Sequence, residues 1–164
     1  MFDDLLLQQA ENVLALYRQA GKRLATAESC TGGLIAGCLT EIAGSSDVVD
    51  RGFVTYSNAA KVEMLGVSAA LLEHPGPGAV SAEVAVAMAR GALKASQADV
   101  TVSATGIAGP GGASEDKPVG LVYLGWAVRG DTAHALHHVF PGDRTAVRQA
   151  TVREALRLLT EALS

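Results

Sequence analysis

Metal-ligand patterns, clustered charge and long apolar runs are all missing from this chain, and each absence removes a class of function. The two cysteines, Cys30 and Cys38, form no CxxC pair and no HExxH occurs, so no structural metal centre is expected. If residues 30–38 form one helix, about 12 Å of rise separates the two thiols, too far for a disulfide. No apolar run reaches the roughly 18 residues a membrane span needs. The chain opens Met-Phe-Asp-Asp, acidic where a secretory leader is basic, and a cytoplasmic setting is expected. Thirteen Lys and Arg against 17 Asp and Glu leave a net charge of −4, with the basic residues scattered, so no nucleic-acid groove is expected.

What is present is apolar and compactable. Hydrophobic residues make up 49% of the chain and charged ones only 18%, which excludes a disordered chain. Its 164 residues fit one domain spanning 1–164, large enough to bury a core without covalent staples.

Leu6, Val13, Leu14 and Tyr17 recur near helical spacing between Asp3 and Ala20, and Gly21 stops the helix; its apolar face suits packing or dimerisation. A strand at Arg23–Ala27 runs into Glu28-Ser29-Cys30-Thr31-Gly32-Gly33 and a helix at Leu34–Ile42. A strand at Gly52–Tyr56 is followed by a Ser57 cap and a helix from Ala59 to Leu65. His74-Pro75-Gly76-Pro77-Gly78 reads as loop, and Ser81 caps a helix from Ala82 to Ala95. The second half offers a strand at Asp99–Thr105, the run Gly106-Ile107-Ala108-Gly109-Pro110-Gly111-Gly112, and strands at Val119–Val128 and Thr132–Val139 joined as a hairpin. Asp143 caps a last helix carrying Val147, Val152, Leu156, Leu159 and Leu163 inward. His134, His137 and His138 have no carboxylate or cysteine close in sequence and read as a half-exposed strand. Alternating strands and helices followed by a hairpin predict an α/β domain: a mixed, mostly buried sheet between helices.

Ligands of such sheets sit where loops leave the carboxyl ends of strands. Ser29 stands at a strand-to-helix turn, as a cap or as a nucleophile, with Thr31, Gly32 and Gly33 offering backbone N–H groups to an anion. The surroundings are not a GxSxG elbow. Lysine is scarce, and Lys61 lies one turn into a capped helix, where the dipole and burial would favour its neutral form; it is then a base for Ser29, or else a solvated helix lysine. Tyr56 can share a proton with that pair, stack on a substrate or simply pack. The Gly106–Gly112 run, with Gly109 and Gly111, fits neither a dinucleotide fingerprint nor a P-loop, but suits close backbone contact with a ligand. Arg144, set against its own helix dipole, reads as an anion-gripping or a solvated arginine.

Taken in order, Ala27-Glu28-Ser29-Cys30-Thr31-Gly32-Gly33, Gly52-Phe53-Val54-Thr55-Tyr56-Ser57-Asn58 with Lys61, Thr105–Gly112 followed by Lys117-Pro118-Val119-Gly120, and Gly142-Asp143-Arg144 closely resemble the CinA C-terminal domain family. Its enzymatic members are nicotinamide-nucleotide amidohydrolases of the PncC type. The resemblance covers the chain from about residue 5 to its end. It implies a three-layer α/β/α sandwich that converts nicotinamide mononucleotide to nicotinate mononucleotide and ammonia in pyridine-nucleotide salvage. It further implies Ser29 as nucleophile, Lys61 as base and Tyr56 facing them, with Thr105 and Arg144 at further active-site positions. The expected partner is a small nucleotide substrate, without metal, organic cofactor, nucleic acid or membrane, and the first helix suits a homodimer or larger assembly. Many members carry an added N-terminal domain associated with pyrophosphatase activity, and a stand-alone form is expected here. The competing reading is a catalytically silent nucleotide-binding or regulatory domain.

Overall fold

The computed structural model describes residues 1–164. Strands β1 (Leu24–Glu28) and β3 (Val100–Gly106) are buried along almost their whole length because both of their faces are covered, and the polar side chains that alternate along them face into the protein rather than into water. β1 lies between β2 (Val49–Val54) and β3 and runs parallel to both. β4 (Leu121–Val128) is antiparallel to β3, and β5 (Ala133–Val139) is antiparallel to β4. The order is therefore β2-β1-β3-β4-β5, the expected mixed sheet.

Helices α1 (Asp4–Ala20), α2 (Leu34–Thr40) and α6 (Arg144–Glu161) cover one face; α3 (Asn58–Leu65), the short α4 (Ala69–Leu72) and α5 (Ala82–Lys94) cover the other. Together they complete a single-domain, three-layer α/β/α sandwich. Asp3 caps α1 by accepting from the Leu6 N–H at 2.8 Å. The apolar face of α1 (Leu6, Ala10, Val13, Leu14, Tyr17) enters the larger core, where the Tyr17 hydroxyl donates to the Leu159 carbonyl at 2.7 Å. That face is thus spent within the chain, as packing. A smaller core of Ala27, Leu65, Val84, Met88 and Ala92 lies under α3 and α5. Three alternating hydroxyls of β3 tie the sheet to that layer: Thr101 donates to Ala89 O, Ser103 to Ala85 O and Thr105 to Ala79 O.

Two local expectations are corrected. β2 occupies Val49–Val54 rather than Gly52–Tyr56, with its charged Asp50 and Arg51 on the sheet's outer edge, bonded to each other. Cys30 does not share a helix with Cys38: α2 starts at Leu34 behind Gly33, whose φ of 100° only glycine takes readily. Both thiols are buried and free.

The parallel pairings put the carboxyl ends of β1, β2 and β3 on one edge. The antiparallel hairpin brings the start of β4 and the end of β5 to the same edge, so α6 also begins there.

Candidate active site

Sheet pairing continues past the formal strand ends and fixes the backbone of the site. The Ser29 N–H donates to Ala104 O and the Thr55 N–H to Glu28 O, each at 2.9 Å. The chain then turns sharply, with Gly32 N–H on Ser29 O and Leu34 N–H on Thr31 O. Opposite, the Ser57 hydroxyl caps α3 by accepting from the Ala60 N–H at 3.0 Å, which carries Lys61 one turn in, over the end of β1.

Lys61 is 1% exposed. Its Nζ lies 2.9 Å from Ser29 Oγ, 2.8 Å from Thr55 O and 3.3 Å from Tyr56 O, all neutral groups. Burial holds this amine below the usual lysine value, with Cys30 acting in the opposite direction. A neutral amine has two N–H donors and one lone pair. Two carbonyl oxygens can take the donors, which leaves the lone pair for the Ser29 hydroxyl. The neighbouring Cys30 thiol is pushed up to about 12, first by burial, so at neutral pH it is no competing nucleophile.

Ser29, Cys30, Tyr56, Lys61, Thr105 and Arg144 share a cavity of about 190 Å³. A second, larger cavity of about 500 Å³ adjoins it at Ala108 and Arg144 and runs over the start of α6 at Gly142, Asp143 and Thr145. Arg144 spans the junction: Nη1 donates to Gly109 O at 2.8 Å and Nη2 to the Tyr56 hydroxyl at 3.2 Å.

Ser29, Lys61, Tyr56, Thr105, Gly106 and Arg144 are thus brought together. The Tyr56 phenol, however, faces Arg144; only its carbonyl reaches Lys61. Thr31 is fully buried with its hydroxyl on Glu28, and neither it, Gly32, Gly33, Gly109 nor Gly111 lines the smaller cavity. The N–H groups of Ile35 and Ala36, in the first turn of α2, are taken by Glu28 as well. Sequence reasoning missed Asn58, Ala79 and Val80 in the cavity wall, Glu28 beneath the turn, and Arg148, which donates to Cys30 O and Thr31 O. Arg148 had one signal: it lies four residues, one helical turn, beyond Arg144.

Fold and site together define a class: a three-layer α/β/α domain with a serine paired to a buried lysine at the carboxyl ends of its parallel strands. The CinA C-terminal domain model matches residues 7–163, and the chain belongs to that family. It is 49% identical to the nicotinamide-nucleotide amidohydrolase PncC of Escherichia coli K12, covering 97% of this chain and 95% of that one. A relative from Caldicellulosiruptor saccharolyticus is 50% identical over 93% of this chain, which spans only 36% of that protein's length. Among solved structures, the competence/damage inducible protein CihA of Agrobacterium tumefaciens superposes with a TM-score of 0.91 at 51% identity, covering 99% of this chain and 98% of that one.

Proposed function

We propose that this chain hydrolyses the carboxamide of nicotinamide mononucleotide to nicotinate mononucleotide and ammonia. The observation that carries the chemistry is the 2.9 Å contact between the buried Lys61 amine and Ser29 Oγ at the wall of a cavity. The substrate assignment draws on the amidohydrolase relative at 49% identity over nearly the full length of both chains.

In this reading Ser29 Oγ attacks the carboxamide carbon while Lys61 takes the hydroxyl proton. The same proton then passes to the departing nitrogen, which leaves as ammonia. Water, deprotonated by Lys61, cleaves the acyl-enzyme and restores the Ser29 hydroxyl. The N–H groups of Cys30, Thr31 and Gly33 make no hydrogen bond to another residue, and of these three only Cys30 lines the cavity, so its N–H is the turn's candidate donor for the oxyanion. One such donor is typically worth about 3 kcal/mol. The exposed Tyr56 ring offers a face to the cationic pyridinium. Arg144 and the backbone at Gly142–Thr145 stand where ribose and phosphate would lie, in the adjoining cavity. Nothing in these steps calls for a metal or organic cofactor.

The setting that fits is pyridine-nucleotide salvage by a cytoplasmic enzyme, acting as a homodimer or larger assembly on a free nucleotide rather than on nucleic acid. No helix is long and apolar enough to cross a membrane. The test is ammonia release from nicotinamide mononucleotide, with and without chelator, by the protein and its Ser29→Ala variant. Chelator-insensitive release abolished by the substitution supports the reading. A folded protein that releases none overturns the substrate, and a Ser29→Ala variant with ordinary turnover overturns the covalent scheme.

A further inference from the structure

The residue immediately before Ser29 is a fully buried glutamate with no basic side chain bonded to it. All its hydrogen-bond partners are neutral. Glu28 Oε1 accepts from the Thr31 hydroxyl at 2.7 Å and the Ile35 N–H at 2.8 Å. Oε2 accepts from the Thr26 hydroxyl at 3.1 Å and the Ala36 N–H at 3.0 Å. Burying an acid without a cation is unfavourable, and a seven-residue helix such as α2 could be capped by a serine or threonine instead. The position of the four donors says what the acid does. One belongs to β1, one to the turn after Ser29 and two to α2, so a single carboxylate joins the chain before Ser29 to the chain after it.

That turn needs an external hold. It contains Gly32 and Gly33 in succession, both with positive φ, and glycine is the residue least restrained by its own backbone. Successive residues along a strand direct their side chains to opposite faces. Glu28 points to the α2 layer and Ser29 to the α3 layer, where Lys61 waits. Any swing of the turn about β1 would therefore carry Ser29 Oγ off Lys61. Arg148 of α6 holds the same turn by its carbonyls, with Nε on Cys30 O at 3.1 Å and Nη2 on Thr31 O at 3.2 Å.

We propose that Glu28 is a positioning residue for the reaction: its carboxylate clamps the Ser29 turn to β1 and α2 and so keeps Ser29 Oγ on Lys61 Nζ. The proposal rests on Ser29 being the nucleophile, but not on the identity of the substrate. It separates Glu28 from the groups that touch the reacting atoms, since its side chain lies on the other face of the sheet.

The test uses the full chain carrying Glu28→Gln, which keeps the size but turns an amide NH2 toward two of the four donors. Two rates are read per folded molecule, the folded fraction being set by circular dichroism. The first is turnover of nicotinamide mononucleotide. The second is labelling of Ser29 by a fluorophosphonate, in which Oγ displaces fluoride from phosphorus and Lys61 takes the hydroxyl proton. A clamp predicts that kcat and the labelling rate fall together by about ten- to a hundredfold while KM stays within about twofold. Thr31→Val deletes one hydrogen bond to Glu28 at little change in volume, and serves where Glu28→Gln does not fold; the expected loss is about fivefold with the same split. A purely structural role would lower the folded fraction and leave both rates per folded molecule unchanged, and that result overturns the proposal. Wild-type protein that is labelled at Ser29 yet releases no ammonia overturns only the substrate, because the labelling comparison still decides the clamp. Wild-type protein that is not labelled at Ser29 removes the nucleophile, and the clamp with it.

Discussion

Lys61 combines two properties that pull against each other: it is buried among neutral oxygens, and the chemistry proposed for it needs the proton gone. Burial lowers its affinity for a proton, so kcat/KM should rise with pH through a value below the ordinary lysine pKa of about 10.4. Lys61→Met should cut kcat by about 10²- to 10⁴-fold. The linkage has a definite sign. Between the folded and unfolded lysine values the unfolded chain binds more protons, so stability contributed through Lys61 grows as pH rises. Thermal melts should therefore show wild type gaining on Lys61→Met between pH 7 and pH 10; a constant gap would show that the amine is not perturbed. Cys30 gives a contrasting outcome. With its thiol pushed up to about 12, iodoacetamide at pH 7 should leave activity intact over hours, and rapid inactivation with carboxamidomethyl on Cys30 would contradict the burial argument.

At the scale of elements, β3 and α5 show how a strand buried on both faces carries polar side chains. The Ser103 hydroxyl donates to Ala85 O at 2.6 Å and accepts from the Gly125 N–H at 3.2 Å, so both of its roles are used. Ser103→Ala should lower stability by about 1–3 kcal/mol, because a buried donor and acceptor both lose their partner; urea melts measure it. Gly125→Ala should be at least as harmful, since its Cβ would fall 2.6 Å from Ser103 Oγ and overlap the Ala85 carbonyl. Elements whose signals are local were legible in the sequence. Ser57, Ser81 and Asp143 cap α3, α5 and α6 as read, because a cap is set by residues within one turn. β2 was misplaced because its start depends on Val49 pairing with Leu24, a partner 25 residues away, while its own Asp50 and Arg51 look unlike strand. The start of α2 at Leu34 was read correctly, but what its first N–H groups hold was not. The anion site was expected at the N–H groups of Thr31, Gly32 and Gly33, whereas the chain's own Glu28 takes the next pair, Ile35 and Ala36.

For the whole molecule, the three-layer fold was legible because alternating strand and helix followed by a hairpin leaves few topologies. Ser29, Lys61 and Arg144 could be nominated because each stands at a strand end or helix start, and those places converge on one edge of the sheet; Thr105 was nominated through the family resemblance. Which atoms meet there could not be read: Arg144 on the Tyr56 phenol and Arg148 on the Ser29 turn depend on how α6 returns across the sheet. That return is braced far from the site. His138 of β5 lies 3.0 Å from Glu154 of α6, and Arg157 grips the same carboxylate through Nε and Nη2. Chiefly through Arg157, and against burial, the Glu154 carboxyl is held below the ordinary glutamate range, with His138 adding to the effect. Its contribution to stability is therefore complete above the unfolded value of about 4.3 and is lost as pH falls through the lower folded value. Arg157 is 43% exposed, so screening by water limits that contribution to about 1 kcal/mol. Glu154→Gln should consequently melt about 2–4 °C below wild type at pH 7, with the gap closing as pH drops below about 4. If the gap persists at acid pH, Glu154 braces α6 by packing rather than by charge. If the variant also keeps normal turnover at pH 7, the return of α6 is fixed by its core face (Val147, Val152, Leu156, Leu159), and the ion pair only adds stability to a site already in register.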